Sequence, residues 1–187
     1  MYVFLSAISA ILFSRGANII VLEASRLAEA LVIRGRLARR VREKAEKYGL
    51  SVDEYLVELL SQDLDPRDRA LEYIEAAEDL LEEAREELGK GNVRQAAEKL
   101  WGAAAIAIKA YAYWREGKRL TSHGELWEYK RRLGDEFGEW VHDSWASATE
   151  MHVCFYEGWC TKKDIKNAYK RIEKLVRAIA ALIKKGS

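Results

Sequence analysis

Residues 92–117 read NVRQAAEKLWGAAAIAIKAYAYWREG, and six of the eleven positions 102–112 are alanine. Leu100, Ala103, Ala107 and Tyr111 recur at helical spacing along one face. Small side chains let helix axes approach closely, so this stretch predicts a helix packed tightly against neighbours. Trp101 and Trp114 are the large groups of the run. Placed in the surrounding core, each would cost on the order of 3–5 kcal/mol if cut back to alanine.

The flanking sequence supplies the neighbours. Asp65 is suited to an N-cap and Pro66 to the first helical position, opening a helix over about 66–88. Ala70, Ala77 and Ala84 repeat every seven residues, as do Ile74, Leu81 and Leu88, which makes an apolar stripe. GKGN at 89–92 is a tight helix–helix turn. LTSHGELWEYKRRLG at 120–134 starts with a capping box, Ser122 with Glu125. A fourth helix is expected over about 135–159. The last, 162–185, carries Ile165, Tyr169, Ile172, Val176, Ile179 and Ile183 at alternating four-three spacing. Residues 67–90 hold nine acids against four bases, and 162–185 nine bases against two acids. Attraction within the bundle is the economical explanation of that contrast; RNA or an acidic partner is the sharper one.

Upstream, residues 29–62 form a separate arm. ALVIRGR is short and β-branched, as a strand would be. Leu37, Val41 and Ala45 then repeat at i, i+4, i+8, Gly49 suits the position after a helix, and Ser51 with Glu54 opens a second helix. Strand, helix, turn, helix resembles the ribbon-helix-helix fold of small dimeric repressors and antitoxins. In those proteins a paired strand enters the DNA major groove. Arg34 and Arg36 would share one strand face, with Arg39 and Arg40 behind them as further nucleic-acid candidates. The bland alternative is a solvated basic helix face. The first 28 residues begin MYVFLSAISAILF, too short to span a bilayer, which needs about 20 apolar residues. No early Lys or Arg marks a secretory leader. A start at Val21, or packing of the segment as a helix or strand, are the readings preferred over a membrane anchor.

Composition sets wider bounds. Of 187 residues, 49% are hydrophobic, enough for a real core, and the net charge of +1 excludes a polybasic binder over the whole chain. One proline suits long helices, and the excess of Lys, Arg and Glu over Asn and Gln resembles a thermophile's protein. The two cysteines, Cys154 and Cys160, would leave a helix from different faces, so both are expected as reduced thiols in a cytoplasm.

Both lie in EMHVCFYEGWC, residues 150–160. On a helical wheel Phe137, Trp140, Val141, Ser144, Trp145, Ala148, Met151, His152, Phe155 and Trp159 share an arc of about 140°. Glu139, Asp143, Ser147, Glu150 and Cys154 fall opposite. His152 is thus expected on a buried or interface face, away from Cys154, which argues against a Cys–His pair. No paired ligand spacing suggests a metal, and no cofactor is expected.

GNVRQAAEKLWGAAAIAIKAYA, SHGELW and MHVCFYEGW resemble the signature blocks of the archaeal PaREP family, first type, over about Leu56 to Leu182. That family is in turn similar to the HEPN superfamily of four-to-five-helix, usually dimeric domains. Many of these are metal-independent ribonucleases or toxin components; others bind nucleotides or assist a partner. In the ribonucleases an Arg precedes a His with four to six residues between them, the two serving phosphate charge and acid–base chemistry. Here His152 is present, but Trp145, Ala146 and Ser147 stand where the Arg should be. Arg131 or Arg132 from a neighbouring helix are the substitutes available. The resemblance therefore implies an all-α, HEPN-like bundle at 66–187, forming a homodimer and binding a nucleotide, RNA or protein without catalysis. Trp145, His152, Tyr156 and Trp159 would line its groove or interface. The alternative is a degenerate ribonuclease with His152 as base. No membrane association is expected.

Overall fold

The computed structural model describes residues 19–24, 29–48 and 50–185. The N-terminal stretch up to residue 18, and Gly49 at the expected end of the first arm helix, lie outside them. The chain divides into two compact units, Met1–Tyr55 and Leu56–Ser187.

In the first unit, β1 (Ile19–Ala24) pairs antiparallel with β2 (Glu29–Arg34), Ile19 opposite Arg34 and Ala24 opposite Glu29. α1 (Gly35–Lys47) follows directly. Gly35 has φ +65°, a left-handed conformation that glycine adopts without strain and that turns strand into helix within one residue. This corrects the expectation for the two arginines: Arg34 closes β2 while Arg36 lies in the first turn of α1, so they share no strand face. Ala38 and Ala45, one heptad apart, are the buried residues of α1, whereas Leu37 is 60% exposed. Arg36, Arg39 and Arg40 are all exposed. α2 (Val52–Leu60) starts as predicted, Ser51 Oγ accepting from the Glu54 backbone N–H at 3.1 Å.

The second unit is a five-helix all-α bundle entered through the end of α2. Its helices are α3 (Pro66–Lys90), α4 (Val93–Glu116), α5 (His123–Phe137), α6 (Trp140–Glu157) and α7 (Lys162–Lys185). Asp65 caps α3, accepting from Arg67 and Asp68 backbone N–H groups at 2.9 and 3.1 Å, with Pro66 behind it. The Ser122–Glu125 capping box opens α5. Glu58 of α2 accepts from the buried Tyr73 hydroxyl at 2.5 Å and pairs with Arg119. Burial and Glu58 together push the Tyr73 hydroxyl far above the ordinary tyrosine range.

α4 is the centre. It packs on α3, α5, α6 and α7, and 15 of its 24 residues are buried. Its alanines meet neighbours on every side, and Gly102 approaches α3 so closely that a Cβ would lie 3.3 Å from Leu80 Cδ1. Trp101 and Trp114 are only partly buried, at the rim rather than in the core as expected.

α6 differs from its predicted form in three ways. Phe137 belongs to α5, because the chain breaks at Gly138 (φ +103°). The helix ends at Glu157, because Gly158 takes the left-handed conformation (φ +72°), so Trp159 leaves the stripe and is 51% exposed. Ser147 and Cys154, assigned to the solvent side, are buried, since α7 covers that side: Arg171 of α7 donates to Ser147 Oγ at 3.0 Å, and Ser144 Oγ donates to the Arg171 carbonyl at 3.0 Å. α6 packs on α4, α5 and α7 yet is less buried than α4, with seven of 18 residues inside.

Two predictions follow from this packing. Ala103→Leu adds volume to the fully buried face of α4 and should destabilise the protein by about 1–3 kcal/mol, read by denaturant unfolding. An unchanged midpoint would show that α4 is not tightly held. The second concerns acid. Backbone N–H groups of Asp68 and Thr161 hold the Asp65 and Asp164 carboxyls below the ordinary range. A depressed folded-state pKa contributes stability that is complete above about pH 4 and lost as pH falls through the folded value. Thermal midpoints should therefore fall steeply below that pH, and less steeply in Asp65→Ala/Asp164→Ala.

Candidate functional site

The rim of α4 nearest α6 carries a continuous row of rings. Trp145 of α6 is buried, and its ring lies 5.2 Å from Trp101 of α4 and 5.9 Å, edge-on, from Trp127 of α5. His152, two turns further along α6, is partly buried. Its ring lies 4.5 Å from Trp101 at an interplanar angle of 35° and meets Tyr156 edge-on at 5.2 Å. The outer members of the row are open to solvent, Trp127 at 44% and Tyr156 at 62% exposure. Helical spacing explains the row on α6, since 145, 152 and 156 follow one another at seven and four residues. Trp145 Nε1 is buried with no acceptor among the described residues. A buried donor without a partner is costly, so the indole is held here by its ring contacts and not by a hydrogen bond.

The far end of the row is held stiffly. Arg94 of α4 donates from Nε to the Phe155 carbonyl at 2.8 Å and from its terminal nitrogen to the Tyr156 carbonyl at 3.1 Å. Its guanidinium also lies 5.9 Å from the Phe155 ring centre. A cation on the last carbonyls of a helix is favourable electrostatically as well as by hydrogen bonding. Past Gly158 the chain turns back, and Cys160 forms a disulfide with Cys154, their Cα atoms 5.6 Å apart. The expectation of two reduced thiols is therefore overturned. It assumed one helix through residue 160, and the left-handed glycine reverses the chain two residues earlier. The cysteines therefore do not point to a reducing compartment. No described helix is long and apolar enough to cross a membrane.

At the near end Lys130 of α5 points its ammonium to His142 Nδ1 at 2.6 Å and lies 4.9 Å from the Trp127 ring centre. Burial, and then Arg131, hold the Lys130 amine below the ordinary lysine range. Gly134 makes room for the imidazole, since a Cβ there would stand 2.8 Å from His142 Nε2. This pair has no spacing signature in the sequence. Of the candidate cations for His152, Arg132 is engaged by Glu116 at 2.5 Å and Glu128 at 2.7 Å, and stacks over Tyr129.

The structure thus brings together Trp145, His152 and Tyr156 of the expected groove and adds Trp101 and Trp127, which the sequence offered only as bulk. Trp159 lies beyond the end of α6 with no ring contact among the described residues. Arg34, Arg36, Arg39 and Arg40 belong to the other unit.

Residues 72–176 match the sequence profile of the archaeal PaREP1/PaREP8 family. A solved crystal structure of a Sulfolobus solfataricus protein is 30% identical, with a TM-score of 0.51, covering 56% of this chain and 93% of that one. No curated protein matches the sequence.

The disulfide gives a direct test. It closes a loop of six residues' separation, for which chain entropy predicts about 2 kcal/mol of stabilisation. Reduction, or Cys160→Ser, should lower the thermal midpoint with little loss of helix by circular dichroism. An unchanged midpoint on verified reduction would show that the bridge restrains nothing.

Proposed function

Because the chain belongs to the archaeal PaREP1/PaREP8 family, and the matched span takes in the whole aromatic row, we propose that it is a HEPN-like, dimeric binding module that acts without catalysis and holds a nucleobase, free or in RNA, against that row. The observation that carries this reading is the set of rings at Trp101, His152 and Tyr156, with Tyr156 exposed at the margin. Base–aromatic stacking is sequence-tolerant and worth about 1–3 kcal/mol per base.

The ribonuclease alternative needs a cation at the scissile phosphate beside the imidazole. Trp145, Ala146 and Ser147 occupy the usual position, and Arg132 is committed to Glu116 and Glu128. His152 packed between Trp101 and Tyr156 is better supported as part of a stacking surface than as a mobile acid–base group.

Tryptophan fluorescence titration with mononucleotides tests the reading. Quenching should saturate, and Tyr156→Ala, a substitution at an exposed side chain, should weaken binding by about tenfold. No saturable quenching, or equal affinity in the variant, would rule out the aromatic row as the site. Single-stranded RNA incubated without metal should stay intact. Turnover abolished by His152→Ala would restore the enzyme.

A further inference from the structure

α7 carries a second feature that the aromatic row leaves unused. Its nine bases were most economically explained by attraction to acidic α3, but that attraction accounts for few of them. Lys184 pairs with Glu78 at 2.8 Å, and Arg85 of α3 reaches Glu173 of α7 at 3.9 Å. Other α3 carboxylates are answered elsewhere, Glu83 by Lys99 at 2.7 Å and Glu87 by Lys90 at 2.9 Å. Lys163, Lys166, Lys170 and Lys174 remain. They follow one another at three, four and four residues, which puts them in an arc of about 80° over about 16 Å of helix. That arc lies opposite the buried seam of Ile165, Ile172, Val176 and Ile179. All four are exposed, and among the described residues none has a carboxylate within ion-pair distance. Lys174 is seated 4.0 Å over the Trp140 ring centre, which fixes one end of the row.

We propose that this lysine row binds the sugar–phosphate backbone of a nucleic-acid strand. Four unpaired cations in line, one per helical turn, suit a ligand whose charges also repeat in line. A membrane surface fits less well: the apolar face of α7 is spent on the core, leaving nothing to insert among lipids. An acidic protein fits less well because the exposed arc holds no aromatic or large aliphatic anchor of the kind that dominates protein interfaces. The row faces away from α4 and does not depend on the aromatic site.

Fluorescence anisotropy with a labelled oligouridylate over a range of salt tests this. Four phosphate contacts on a single strand predict a log–log salt slope of about −3, and Lys166→Glu/Lys170→Glu should bring it to about −1.4 with at least about tenfold weaker binding. Lys166→Gln/Lys170→Gln should give the same reduced slope without reversed charge, which guards against misfolding of the first variant. Both variants should keep the mononucleotide quenching of the aromatic row, so failure of either site is read separately. Oligothymidylate bound with a similar slope supports a reader of the backbone; binding confined to the RNA supports it with a preference for ribose. An unchanged slope in the variants overturns the proposal. So does displacement of the oligonucleotide by polyglutamate as readily as by unlabelled strand, or a loss that follows Arg36→Glu/Arg39→Glu instead.

Discussion

Everything in the bundle depends on how closely other helices approach α4. A helix with neighbours on four sides can be buried all round only if most of its side chains are small, and residues 102–112 meet that condition with one glycine and six alanines. Interior packing is near crystal density, so such a helix leaves its neighbours little freedom to shift. The bulky residues are pushed to the rim. Trp101 stands where α4 runs out of neighbours, and that is why it meets His152 and Trp145 rather than filling the middle. The aromatic row is in this sense a by-product of an alanine core: large rings that cannot fit between close axes collect along one edge and remain partly open.

Legibility in the sequence followed the same physics. Signals confined to one helix were readable. Asp65–Pro66, the Ser122–Glu125 box, and the four-three spacing of α7 each state a local requirement, and each matches the structure. What failed needed knowledge of how the chain continues beyond a helix end. Gly138 and Gly158 look like ordinary residues within an aromatic run, and reading the run as one helix carried Phe137 and Trp159 onto a wheel to which neither belongs. The disulfide was missed for the same reason, since a cysteine pair six apart is distant on a helix and adjacent around a left-handed turn. Burial of Ser147 depended on which helix covers the second side of α6, a tertiary fact without local signature. The aromatic site was half legible: Trp145, His152 and Tyr156 share a helix face, while Trp101 and Trp127 arrive from α4 and α5.

The charge pattern shows a similar division between composition and placement. An acidic helix and a basic helix in one bundle suggest mutual neutralisation, yet adjacency decides which charges can meet. α3 and α7 touch along a seam where Glu78 meets Lys184 and Arg85 meets Glu173. Surface pairs of this kind contribute little to stability, so the contrast in charge is not what holds the bundle together. It survives on the outer face of α7 as an unbalanced row, and an unbalanced row matters for what approaches from solvent.

The rigidity at the end of α6 bears on what kind of site the aromatic row can be. Three independent devices converge there: Arg94 on the last carbonyls, the left-handed Gly158, and the Cys154–Cys160 bridge. Each removes freedom from the turn that carries Tyr156. An acid–base histidine gains from room to reposition between proton transfers. A stacking surface gains from the opposite property, because a ring already fixed in place loses no conformational entropy when a ligand lies on it. The stiffness of the α6 terminus therefore points the same way as the missing arginine, though it comes from backbone geometry and the arginine from sequence.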